Sequence, residues 1–245
     1  MAAEGEAAKK EEEAEAKPKS PYALLVELEG AAVHARQAEY EALRSVLKDQ
    51  KLEVPKSLFI RHCLNARPSA YVPALLDALG GKKQEVDDLV KEVKSGVTMY
   101  LSSPEATLNP IAEHLLAEAH KRHMEVALLT GEKESVAKSL VGRWGGDHGR
   151  IKVFTYEPGS RPFPRADVWL KMAKSIARTP RQCIALAGSS YSAKTALSAG
   201  MPCIALADEF TAFQDFGGTD TVLDADTEFD AAELLEVIAP VKPFI

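Results

Sequence analysis

No stretch of this 245-residue chain approaches the roughly 20 consecutive apolar residues that a membrane-spanning helix needs, and its N-terminus lacks the apolar centre of a signal peptide. A cytoplasmic protein without membrane association is the expectation. Positive charge is short as well: 30 Lys and Arg stand against 36 Asp and Glu, a formal net charge of -6. Nucleic-acid binding draws most of its affinity from cations that neutralise phosphates, and the sequence shows no basic stripe interleaved with aromatics, which argues against that class of partner. Cysteine is scarce. Cys63, Cys183 and Cys203 are an odd number at wide spacing, two of them inside apolar runs, which speaks against a disulfide framework and a zinc knuckle. Buried, inert thiols are expected, because cysteine behaves as a small hydrophobe.

What remains is ordinary globular composition, 46% hydrophobic and 27% charged, in a length that holds one domain plus a sizeable insertion. Residues 1–20, MAAEGEAAKKEEEAEAKPKS, carry no large apolar residue after Met1 and cannot bury a core. A disordered tail or a lone solvated helix is expected there, with a docking arm for a partner as the sharper alternative. After Pro21 the run YALLVEL has the length and bounded character of a buried parallel strand. Helical patterns then follow to about Ser103 with no convincing strand among them. From residue 110 onward helix and strand alternate: PIAEHLLAEAHKRH, MEVALLTG, a helix from Lys133 to Trp144, IKVFTY, ADVWLKMAKSIA, QCIALAGSS, SAKTALSAG and PCIALA. Such alternation predicts a doubly wound parallel α/β sheet. The predicted division is a core of residues 21–33 and 104–245, interrupted by a helical cap over 34–103.

Three predicted strands end at chemically suggestive residues: Glu27 and Glu29, Thr130 with Gly131, and Gly188 to Ser190. In open parallel sheets ligands bind beyond the carboxyl ends of the strands, where helix N-terminal amides also receive anions. Structural readings compete at each place. The glutamates fit a solvated strand end, Thr130 and Ser189 fit helix caps, and Arg161 fits a surface loop.

From about Tyr22 to Ile238 the chain resembles the haloacid dehalogenase (HAD) superfamily, in the branch of β-phosphoglucomutase-like phosphatases that carry a helical cap after the first strand. RPFPRADVWLKMAKSI is similar to that branch's KPxPDxYxxA segment, CIALAGSSYSAKTALSAGMPCIAL to CxxxEDSxxGxxAAxxAGM, and EFTAFQDFGGTDTVLD to ExTxxQDFxxADxVxx. The resemblance implies a HAD-like Rossmannoid core and assigns roles by motif. In the first motif, DxDG followed by Thr or Val, one aspartate attacks phosphorus and the other protonates the leaving group. Here these positions are Glu27 and Glu29, followed by Gly30 and Ala31. Thr130 matches the hydroxyl that hydrogen-bonds the transferring phosphoryl group. Arg161 replaces the lysine that balances nucleophile and phosphate charge. Ala187, Gly188 and Ser189 stand where Glu-Asp-Ser completes the magnesium site, so no carboxylate remains there.

Four of the five key positions are thus altered. A misplacement of about 1 Å, as from the extra methylene of Glu, can alone cost on the order of 100-fold in rate. Mg2+ also demands near-octahedral oxygen coordination, and a planar guanidinium does not replace an ammonium point charge. The expectation is a non-catalytic pseudoenzyme with a binding, assembly or regulatory role and no cofactor. Its partner would be an unidentified protein or a small phosphorylated ligand, with Thr130, Gly131, Arg161 and Ser189 as possible anion-binding groups. The alternative is a weak or altered phosphatase or phosphomutase-like hydrolase acting on a small phosphorylated metabolite, using Glu27, Glu29, Thr130 and Arg161, and Mg2+ only in that case.

Overall fold

All five residues of the first strand, β1 (Ala23–Glu27), are buried, as the unbroken apolar run demands of a strand covered on both faces. The computed structural model describes residues 20–64, 66–81, 86–145, 151–156 and 164–240. The expected tail, except Ser20, and Arg161 lie outside these described residues.

After β1 come helices α1 (Ala35–Lys48), α2 (Lys56–Cys63), α3 (Pro68–Leu79), α4 (Val86–Ser102) and α5 (Pro110–Lys121). Strand and helix then alternate through β2 (Glu125–Thr130), α6 (Glu134–Trp144), β3 (Lys152–Thr155), α7 (Ala166–Ser175), β4 (Cys183–Ala187), α8 (Ser190–Ser198), β5 (Cys203–Leu206), β6 (Thr221–Leu223) and α9 (Ala231–Ile238). The six strands form one parallel sheet in the order β3-β2-β1-β4-β5-β6. This is the Rossmann-type order, and its switch point falls between β1 and β4.

The period of two along β1 sorts its side chains between the two faces. Leu24 and Val26 join one apolar cluster with Leu115 and Leu116 of α5, Leu140 of α6 and Leu235 of α9. Ala23 and Leu25 join another with Val168, Trp169 and Met172 of α7 and Ala193 and Ala196 of α8. β3 is an edge strand, and its two end residues, Lys152 and Thr155, are exposed.

The insert α1–α4 encloses a third cluster built from Leu43, Leu47, Phe59, Tyr71, Leu75, Leu76 and Val93. One member comes from outside the insert: Phe210, on the loop after β5, is 1% exposed and packs with Tyr40 and Phe59 at ring separations of 5.8 and 5.4 Å. Local chemistry fixes the helix ends. Gly80 takes φ 69° after α3, and the Gly81 N–H reaches back to the Leu76 carbonyl at 2.8 Å. Asn109 accepts from the Ile111 N–H at 2.9 Å at the head of α5.

One expectation is corrected. The apolar run does not continue as strand through Glu29; β1 ends at Glu27, and Leu28–Ala32 form a single π-helical turn closed by the Val33 N–H on the Leu28 carbonyl at 3.0 Å. The turn lets Leu28, Ala31 and Ala32 enter one and the same apolar cluster, which a straight strand could not do, since its adjacent residues point to opposite faces.

Candidate functional site

The π turn places Glu27 and Glu29 on different supports. Glu27 is 8% exposed, and its Oε2 accepts from the Gly188 N–H at 3.0 Å, across the switch point at the end of β4. Glu29 Oε1 accepts from the Thr130 hydroxyl and from the Gly131 N–H, the latter at 3.1 Å. The end of β2 therefore holds the second glutamate by the hydroxyl that the sequence resemblance assigns to an incoming phosphoryl group and by the neighbouring Gly131 amide. Burial pushes the Glu29 carboxyl up to about 7; the Thr130 hydrogen bond opposes the shift, while the neighbouring charges of Glu27 and Glu132 add to it.

Arg36, at the second position of α1, crosses to the core. Its Nη1 donates to Asp208 and its Nη2 to the Gly188 carbonyl. Asp208 is itself fixed, its Oδ1 accepting from the Phe210 N–H at 2.9 Å and from the Thr211 hydroxyl at 3.0 Å. Glu39, one turn further along α1, accepts from the Tyr71 hydroxyl at 2.8 Å, and burial pushes its carboxyl to about 7 as well.

A cavity of about 610 Å3 lies between the insert and the core. Glu27, Glu29, Arg36 and Glu39 line it, with Gly131 and Glu132 from the β2 end. Cations line it too: Arg67, Lys91 and Lys94 from the insert side and Lys133 from the core side. The Arg67 Nε is buried without a hydrogen-bond partner.

Of the residues singled out from the sequence, Glu27, Glu29 and Gly131 reach this cavity. Thr130, Ala187, Gly188 and Ser189 are buried and do not line it. The cap expected at Ser189 is present, its side chain accepting from the Ser192 N–H at 3.2 Å at the head of α8. Thr130 does not cap α6, whose N-cap residue is Lys133 without a side-chain bond. Sequence reasoning missed Arg36, Glu39, Arg67 and Asp208. A signal for Arg36 did exist: a cation in a helix's first turn opposes the macrodipole and needs compensating oxygens elsewhere.

The residues present do not fit the magnesium that the fold family implies. Among the described residues no group of three or more His, Cys, Asp or Glu could hold a metal ion. A Cβ at position 188 would overlap the Gly30 carbonyl and stand 2.6 Å from Arg36 Nη2, so the backbone has no room for the family's carboxylate there.

No family model matches this sequence. A curated protein of Bacillus subtilis (strain 168), "Putative phosphatase YhcW", is 22% identical over 217 residues, 87% of this chain and 96% of its own length. Among solved structures, CbbY from Rhodobacter sphaeroides in complex with phosphate superposes with a TM-score of 0.70 at 17% identity, covering 86% of this chain and 95% of its own. A β-phosphoglucomutase from Clostridium difficile superposes with a TM-score of 0.63 at 15% identity, covering 82% and 90%. At these identities the structural likeness speaks for the fold.

Proposed function

From a chain with the HAD-like Rossmannoid fold, we propose a protein that binds a small phosphorylated ligand or a partner in its crevice without transferring the phosphoryl group. Residues 34–103 would serve as the cap over a core of 21–33 and 104–245. The observation that carries the reading is the position of Glu29. Its carboxylate takes the hydrogen bonds of Thr130 and Gly131, so the phosphoryl position of the resembled enzymes is filled by an anion of the chain itself. A phosphate arriving there meets occupied donors and two acids. The cations Arg67, Lys91, Lys94 and Lys133 offer its charge another place on the cavity wall.

The test is phosphate binding by calorimetry in a chelator, for wild type and Glu29→Ala. Two released donors, each worth about 1 kcal/mol net, should tighten phosphate by roughly tenfold or more in the variant. Unchanged affinity would mean that Thr130 and Gly131 do not form an anion position.

One observation favours the hydrolase alternative. A carboxyl titrating near 7 is suited to general acid catalysis at neutral pH, and Glu29 meets that condition. Turnover of an activated aryl phosphate by the wild type, abolished in both Glu27→Gln and Glu29→Gln, would replace the binding reading by this one.

A further inference from the structure

The Arg36 guanidinium sits among oxygens of three different origins. Asp208 and the Gly188 carbonyl accept its hydrogen bonds. Glu27 borders it as well: the point where a Gly30 Cβ would stand lies 2.5 Å from Glu27 Oε1 and 3.0 Å from Arg36 Nη2. A carboxylate and a backbone carbonyl on the guanidinium, with a second carboxylate beside them, are the kind of donors that a hard divalent cation takes. Here the positive charge among them belongs to the chain. The Arg36 and Asp208 side chains are only 12% and 21% exposed, so water screens the pair weakly. Arg36 also holds this place against its helix, because the first turn of α1 presents the positive end of the macrodipole to it. Only surrounding anionic oxygens offset that arrangement.

On the reading above, in which this crevice is the ligand site, we propose that the Arg36 guanidinium permanently occupies the crevice's cation position and neutralises Glu27 and Asp208 in place of a divalent metal. The protein then folds, and takes its ligand, without one. A side chain at 188 is excluded first by the Gly30 carbonyl and then by Arg36 Nη2, so the guanidinium stands beside a position that takes no carboxylate.

The experiment is thermal melting of the full chain, wild type and Arg36→Ala, in metal-free buffer, with MgCl2 or MnCl2 at about 10 mM and with NaCl at matched ionic strength. Wild type should melt within about 1 °C of the same temperature in all three conditions. Arg36→Ala should melt several degrees lower, and the divalent salts, but not NaCl, should return part of that loss, because an ion held by the vacated oxygens binds only the folded state. Adding Asp208→Asn should abolish the recovery. Divalent-specific stabilisation of the wild type would overturn the proposal, since a metal site would then exist beside Arg36. A folded Arg36→Ala that is blind to divalent ions would overturn it equally, leaving Arg36 as a strut between insert and core. If Arg36→Ala does not fold, Arg36→Met, which keeps the apolar stem, carries the same comparison, and the wild-type arm stands whichever variant folds. Phosphate affinity enters none of these readings, so their failure and that of the Glu29 test are distinguishable.

Discussion

One methylene separates Glu29 from the aspartate of the resembled motif, and the longer arm ends on Thr130 and Gly131. The end of the first strand was legible in the sequence, but the direction of that carboxylate was not, since it depends on a π turn that no local pattern announces. Arg36 was harder still, because its partners Gly188 and Asp208 are 152 and 172 positions away. Burial leaves a measurable trace in both raised carboxyls. In the unfolded chain Glu39 releases its proton near the ordinary value of 4.5, whereas in the folded protein it keeps it until about 7. Between those values the folded state binds more protons, so stability falls as pH rises, and the penalty is complete above about 7. Gln at position 39 can still accept from Tyr71. Glu39→Gln should therefore stabilise the protein by on the order of 2–3 kcal/mol at pH 8 and by almost nothing at pH 4.5, read by urea unfolding. Equal gains at both pH values would show that Glu39 is charged throughout.

The elements that periodicity exposes best are the central ones, where burial on both faces leaves an unbroken apolar signature, as in β1 and β4. The sequence reading passed over α2, α9 and β6. β6 has three residues, of which only Leu223 is buried, too little for either period to register. The loop after β5 carried a family-like segment from Glu209 onward, but nothing in that pattern shows that it joins the insert to the core. Lys56 pairs with Glu209 and lies over the Phe210 ring at 4.5 Å from its centroid, while Phe210 fills the insert's own apolar cluster. Phe210→Ala should cost about 3–5 kcal/mol, as truncations of buried aromatics do. Lys56→Ala should cost less than about 1 kcal/mol, because the pair is exposed. A small loss at Phe210 would mean that the insert repacks without it.

At the scale of the whole molecule, that ring fastens a loop of the sheet to the apolar cluster of the insert, two units that the sequence suggests as separate. Both tryptophans, Trp144 and Trp169, report on the sheet side, while far-UV circular dichroism also reads the insert, whose four helices hold about half of the α-helical residues among those described. The two signals should follow one urea transition in the wild type and separate in Phe210→Ala, with part of the helical signal lost before the tryptophan signal changes. Coincident curves in the variant would show that the other contacts suffice to couple insert and core. The same ring bears on the order in which the chain is made. All four insert helices have been synthesised by Ser102, but the aromatic that closes their core follows roughly a hundred residues later, about 5–20 s at ordinary translation rates. Through that interval the nascent insert lacks one buried aromatic of its apolar cluster. A protease added to stalled chains should cut the insert more readily until Phe210 has emerged from the ribosome.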